Sequence, residues 1–306
     1  MNIPVLRGIQ KPNRQRHWRL VLLLLPAFTY MVIFHYLPMG GLQIAFKDFS
    51  PRKGMWESEW VGTKHFLRFL TYPFFWQLVR NTFSISIYAL IVGWPLPIIL
   101  ALLLNEVSHS TYKKTVQMIV FLPHFISTVA MCGMIVLFLD RGSGLFNNII
   151  AVMGGERVAF LSIGPNFKHI YVWSSVWQNT GFASVIYIAA LSTVDPGLVE
   201  AAQIDGAGRM KIIYHIYFQC LKPTAIVQLI LRAGQLLTVG FEKILLLQND
   251  LNMEWSDVIS TYVYRTGLAG AQFSYTAAIG LFNNIINLGL LLAVNALAKR
   301  YSDTHI

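Results

Sequence analysis

Six stretches of this chain are apolar over about the length a helix needs to cross a bilayer, roughly 20 residues. They fall at residues 20–42, 81–104, 115–139, 170–193, 223–247 and 271–298. A segment inside lipid has no water to satisfy its peptide groups, so it must be a helix or part of a closed barrel. The runs at 100–104 and 288–297 lack the strict alternation of barrel strands. The expected fold is therefore an all-α integral membrane protein with six transmembrane helices.

Charge placement points the same way. Charged residues make up 12% of the 306 residues, about half the usual soluble level. Only three of them, Arg232, Glu242 and Lys243, lie inside the spans, all in the fifth. The segments between spans are close to a soluble composition, so the low average mixes two environments. Such a chain is not disordered, collagen-like or a small disulfide scaffold. Cys132 sits in the third span and Cys220 in a connecting loop, so no disulfide is expected. The histidines show no metal-ligand spacing, and His35 and His124 read as packed or interfacial side chains.

The first 19 residues carry Arg7, Lys11, Arg14, Arg16 and Arg19 and no acid. The apolar run after them is too long for a signal peptide and ends in no small-x-small cleavage site. A retained first helix with a cytoplasmic N-terminus fits, and six crossings return the C-terminal tail, 299–306, to the same side. The membrane domain is expected to span 20–298, with an outer loop at 43–80 and a cytoplasmic loop at 194–222. Pro26, Pro38, Pro95, Pro97 and Pro123 lie in or beside spans, where each removes a backbone donor and can kink a helix. The aromatic-rich stretch 56–80 is expected to form an amphipathic helix at the outer interface.

The loop between spans four and five is the most informative segment. Asp195 followed by Pro196 forms a helix start, an acceptor at the cap and then a preset backbone angle. Ala201 and Ala202 favour helix with little bulk, and Gly206 can end it in a left-handed turn. From these residues alone, a partner-docking helix and a plain interfacial connector are both open.

Glu200-Ala201-Ala202, Asp205-Gly206-Ala207, Ile216 and Pro223 resemble the EAA loop of binding-protein-dependent ABC importer permeases. Trp60-Val61-Gly62, Phe66 and Asn81-Thr82 resemble sugar permeases of the maltose and glycerol-phosphate type. The runs from Pro38 to Phe49, Gly240-Phe241-Glu242-Lys243, and Asp257 to Arg265 resemble a narrower group. That group takes up polysaccharide-derived oligosaccharides and includes the LplB-type and alginate-oligosaccharide importers.

The resemblance implies a type I ABC importer permease fold in a bacterial cytoplasmic membrane. It implies a second homologous permease, two ATPase subunits and an extracytoplasmic solute-binding protein that delivers an oligosaccharide. It also implies that Glu200, Ala201, Ala202, Asp205, Gly206 and Ala207 form the ATPase contact. No G-x-x-x-x-G-K-[ST] run is present, so ATP and Mg are expected on the separate ATPase subunits, with no cofactor in this chain, no nucleic acid and no catalytic residue.

Polar side chains at membrane depth mark candidate path residues. They are Trp177, Gln178 and Asn179 in span four, Arg232, Gln235 and Glu242 in span five, and Asn283, Asn284 and Asn287 in span six. The amides suit interhelical hydrogen bonding as well as pore lining. Trp173 reads as an interfacial anchor, and Trp177 as an anchor or a sugar platform. Arg232 suits an acidic sugar such as a uronate, though pairing with a partner-subunit carboxylate is the expected role. A secondary transporter would need ionisable coupling residues and often internal repeats; five spans have no charge and no repeat is evident. A membrane enzyme would need a catalytic constellation, and none appears.

Overall fold

The computed structural model describes residues 14–301; the start of the basic tail, residues 1–13, and the last five residues of the C-terminal tail lie outside them. The main helices are α1 (Arg14–Met31), α2 (Lys64–Leu70), α3 (Phe75–Gly93), α4 (Pro95–Asn105), α5 (Ser110–Phe121), α6 (Thr128–Leu139), α7 (Leu145–Val152), α8 (Phe167–Leu191), α9 (Pro196–Ile204), α10 (Phe218–Ala233), α11 (Phe241–Leu247), α12 (Ile259–Tyr264) and α13 (Phe273–Tyr301). Two strands, β1 (Lys47–Asp48) and β2 (Glu59–Trp60), pair antiparallel with Lys47 opposite Trp60.

Three helical stretches among the described residues are long and apolar enough to cross a membrane, Val21–Phe46, Phe75–Asn105 and Phe273–Lys299. They cover the first, second and sixth expected spans. The fourth is α8, which bends by 76° into α9.

The third and fifth spans differ from expectation. Residues 115–139 are not one straight helix: α5 runs into a short tight turn containing Pro123, and the chain then bends by 97° into α6. Proline lacks the donor that would continue the helical ladder. Residues 223–247 are α10 and α11 with irregular backbone at 234–240 between them. Gly234 begins that break against α13, where an added Cβ would meet Leu291 Cδ1 at 2.5 Å. The aromatic-rich stretch 56–80 is likewise not one amphipathic helix. It holds β2, α2 and the start of α3.

The core lies in three clusters along the bundle. Ile85, Met131, Val172, Ile244 and Val258 join α3, α6, α8 and α11. Phe69, Leu78, Tyr262, Tyr275 and Ile279 join α2, α3, α12 and α13. Ile98, Tyr187, Leu191 and Leu221 join α4, α8 and α10. Helix α8 is thus the central post, and Gly181 lets it approach α5 so closely that a Cβ there would enter the Val120 carbonyl.

The motif residues at 81–82 and 257–265 form one knot. Asn81 Nδ2 donates to the carbonyls of Glu254 (2.8 Å) and Asp257 (3.0 Å). Thr82 Oγ1 accepts from the Ile259 amide at 3.1 Å. Asp257 accepts from Arg265 Nη2 at 2.7 Å and from Thr261 Oγ1 at 2.8 Å. These bonds fix α3 to α12, and Asn81 also borders a cavity of about 220 Å³ with Arg80, Lys168 and Trp255.

Candidate translocation groove and connecting helix

Every break in a helix at membrane depth frees backbone groups that lipid cannot satisfy, so protein must supply partners. Two of the expected path amides do this. Leu237 N–H donates to Asn287 Oδ1 at 3.0 Å, and Asn287 Nδ2 donates to Thr238 Oγ1 at 3.2 Å. Gln178 Nε2 donates to the Ile126 carbonyl at 2.8 Å, at the bend between α5 and α6. Both side chains are buried.

The break at 234–240 opens space on two sides. On one side, a cavity of about 210 Å³ is lined by Ser86, Tyr171, Arg232, Gln235 and Thr238, among others. A neighbouring cavity of about 140 Å³ is lined by Gly93, Ser175, Asn179 and again Arg232. The two form one groove with Arg232 common to both. Arg232 Nη1 donates to the Gly93 carbonyl at 3.3 Å, which holds the guanidinium across the gap to α3. The ion pairs among the described residues are Lys64–Asp48, His65–Asp48 and Arg265–Asp257, so Arg232 has no carboxylate partner there. Ser86 Oγ is buried with no hydrogen-bond partner.

On the other side of the break lies a cavity of about 470 Å³ lined by Phe241, Tyr264, Asn283 and Asn284. The rings of Phe241 and Tyr264 are 5.6 Å apart, and Asn283 Oδ1 is buried and unbonded. Thr238 lines this cavity as well as the first, so the broken segment is a wall between the two.

The remaining expected residues are dispersed. Trp177 lines a separate apolar cavity of about 400 Å³ with Leu96, Ile99 and Pro123. Trp173 Nε1 donates to Tyr88 Oη at 2.9 Å. Glu242 is exposed, whereas its neighbour Lys243 is buried. Sequence reasoning missed Ser86, Ser175 and Thr238, whose hydroxyls carry no distinctive spacing. It also passed over Lys243 as a site residue, although a lysine inside an apolar span was signal enough.

The connecting loop is built as its residues dictate. Asp195 Oδ1 accepts from the Gly197 amide at 2.9 Å and caps α9, with Pro196 in its first turn. Gly206 ends the helix at φ 77°. The Ala207 amide reaches back to the Ala202 carbonyl at 2.9 Å and the Gly206 amide to Gln203 at 3.0 Å, the paired bonds of a left-handed helix stop. Glu200, Ala201, Asp205 and Gly206 are exposed, Ala202 and Ala207 partly so. Leu198, Ile204 and Met210 present exposed apolar side chains beside them.

A model of the family described as binding-protein-dependent transport system inner membrane component matches residues 93–303. The chain belongs to that family. It is a permease, a transport component of the inner membrane, and its bundle is the type I ABC permease fold. The polygalacturonan/rhamnogalacturonan transport system permease protein YteP of Bacillus subtilis (strain 168) is 42% identical over 287 residues, 94% of this chain and 89% of that one. A crystal structure of a bacterial ABC transporter involved in import of the acidic polysaccharide alginate contains a chain that superposes with a TM-score of 0.86 at 42% identity, covering 94% of this permease and 96% of that chain. A second, of a bacterial alginate ABC transporter in complex with alginate pentasaccharide-bound periplasmic protein, gives a TM-score of 0.88 at 40% identity, covering 95% and 98%.

Proposed function

We propose that this permease forms half of the translocation path of an ATP-driven importer for oligosaccharides, and that the oligosaccharides bear carboxylates. Arg232 carries the acidic reading. It is a cation inside the helical body, it lines both cavities of the groove, and no carboxylate of the described chain neutralises it. A desolvated guanidinium forms short, strong, two-pronged bonds to a carboxylate. Gln235 and Asn179 offer neutral polar groups on either side of it for sugar hydroxyls. The similar proteins named for polygalacturonan and for alginate support the same substrate class.

A second, homologous permease would complete the path, and an extracytoplasmic binding protein would deliver the sugar, as the periplasmic protein accompanies the alginate transporter. Two ATPase subunits would hold ATP and Mg. Glu200, Ala201, Ala202, Asp205, Gly206 and Ala207 would dock on them, since α9 stands free of the bundle with small and apolar side chains exposed. Closure of the ATPases would draw the two α9 helices together and rock the bundles between inward-facing and outward-facing states. With α9 on the cytoplasmic side, both termini are cytoplasmic.

ATP-driven uptake by the whole complex in proteoliposomes, with its binding protein, tests this. Trigalacturonate should enter faster than its carboxyl-reduced counterpart, and Arg232→Gln should remove at least tenfold of that preference while the complex still assembles. Uptake of neither sugar overturns the oligosaccharide reading. Equal uptake of both overturns the acidic one. Loss of the second permease from the purified Arg232→Gln complex would instead assign Arg232 to pairing between subunits.

A further inference from the structure

The run Gly240-Phe241-Glu242-Lys243 places a lysine where no exposed surface requires one. Lys243 is 6% exposed, in α11, beside Tyr171, Cys132 and Ile244 of the first core cluster. Its Nζ donates to Ser175 Oγ at 2.8 Å and lies 5.4 Å from the centre of the Tyr171 ring. Its own carbonyl lies 3.9 Å from Cys132 Sγ on α6. None of these neighbours is anionic, and the ion pairs among the described residues do not include it. Glu242, one residue away, is exposed while Lys243 is buried. Burial also keeps a partner subunit's carboxylate out of reach, which distinguishes Lys243 from the partly exposed Arg232.

An ammonium taken out of water without a counter-charge is strongly disfavoured. A methionine would fill the same volume at no such cost. The position of Lys243 shows what the charge can act on. Tyr171 lines the larger groove cavity and Ser175 the smaller one. Both are on α8, so Lys243 stands directly behind the α8 wall, with Arg232 lining the same two cavities. Coulomb interaction across one side chain in a low-dielectric interior is strong and weakly screened by salt. The ammonium also fixes Ser175 Oγ as its acceptor, and Ser175 in turn donates to the Tyr171 carbonyl at 2.7 Å.

From this geometry we infer that Lys243 is a positioning residue for substrate selection: acting through Ser175 and Tyr171, it makes the groove attractive to carboxylated sugars from behind its wall. This rests on the acidic-oligosaccharide reading. A carboxylate held at Arg232 supplies the negative charge that Lys243 lacks, so the interaction is largest with the substrate in the groove.

The test is the ratio of trigalacturonate to carboxyl-reduced trisaccharide uptake, measured on the full complex in proteoliposomes with one binding protein throughout, so that its own selectivity cancels. Lys243→Met should lower the ratio about tenfold, and Lys243→Arg should keep it within about twofold of wild type. Lys243→Gln serves in place of Met if that variant fails to assemble. An unchanged ratio in the neutral variants, including an equal fall in uptake of both sugars, overturns the inference. So does a ratio lost equally in Lys243→Arg, because charge would then not be the cause. A wild-type complex without preference removes the acidic reading itself, whereas a selective wild type with equally selective Lys243 variants removes only the role of Lys243.

Discussion

Asn287 on α13 holds the Leu237 amide at 3.0 Å, fifty positions away in sequence, at the point where the helix carrying Arg232 has stopped. The bond satisfies a backbone donor that the break would otherwise strand. Both partners are buried. It therefore sets the shape of the wall that separates the groove from the aromatic cavity.

Replacing Asn287 with Leu should cost about 1–3 kcal/mol, the usual penalty for a buried donor left unmade. Thermal unfolding of the purified complex should show a lower midpoint. Equal midpoints for wild type and Asn287→Leu would show that the break is held by other means.

Gly181 gives a second prediction. Its missing Cβ is what lets α8 cross α5 at the Val120 carbonyl. Gly181→Ala should push the helices apart at a cost of about 1–3 kcal/mol, the range for overpacking. Gly133 on α6 is the control, since a Cβ there meets nothing within 4 Å. Gly133→Ala should stabilise the helix by about 0.5–1 kcal/mol. Thermal midpoints of the two variants should move in opposite directions.

These relationships mark where the sequence was legible. Hydropathy runs located four spans as continuous helix, because apolar length is a local property. The cap and stop of α9 were readable from Asp195, Pro196 and Gly206 for the same reason. Pro123 marked a possible kink in the third span, but the 97° size of that bend and the break at 234–240 were not readable, because the groups that hold them, Gln178 and Asn287, come from other helices. Those two amides are the same residue types as Gln235 and Asn179, which line the groove; only the fold separates an amide that holds broken backbone from one that borders a cavity. Asn81-Thr82 and Asp257 to Arg265 were recognisable as motifs, but their reason is a contact across more than 170 residues. The β1–β2 rung is too short to leave a period.

The rung supplies a pH prediction. Lys64 Nζ bonds Asp48 Oδ2, with His65 on the other oxygen at 3.1 Å, and the Lys64 bond holds the Asp48 carboxyl below its ordinary value of 3.8. A depressed carboxyl stabilises the fold above its unfolded value. The contribution is therefore complete above about pH 3.8 and is lost as pH falls through the lowered folded value. The Val61 amide, which donates to the Phe46 carbonyl at 2.9 Å beside the rung, reports on it by hydrogen exchange. Its protection should persist just below pH 3.8 in wild type and fall earlier in Lys64→Met. The effect should be small, since both side chains are partly exposed and water screens the pair.

Gly206 offers the sharpest separation of shape from bulk at α9. A Cβ at this position would meet nothing within 4 Å, so size is not the constraint; the constraint is its φ of 77°. An L-residue held in the left-handed region costs about 1–2 kcal/mol, and a β-branched one is the worst placed. Asn tolerates that region through local hydrogen bonding and is found at helix stops. Gly206→Val should therefore unwind the paired bonds from Gly206 and Ala207, shift Asp205 and Ala207 relative to Glu200, and abolish ATP-driven uptake while membrane insertion remains. Gly206→Asn, which is also bulky, should retain most uptake. If both variants fail alike, the exposed surface at 206 itself must be in tight contact with the ATPase; if both succeed, the left-handed stop has no part in coupling.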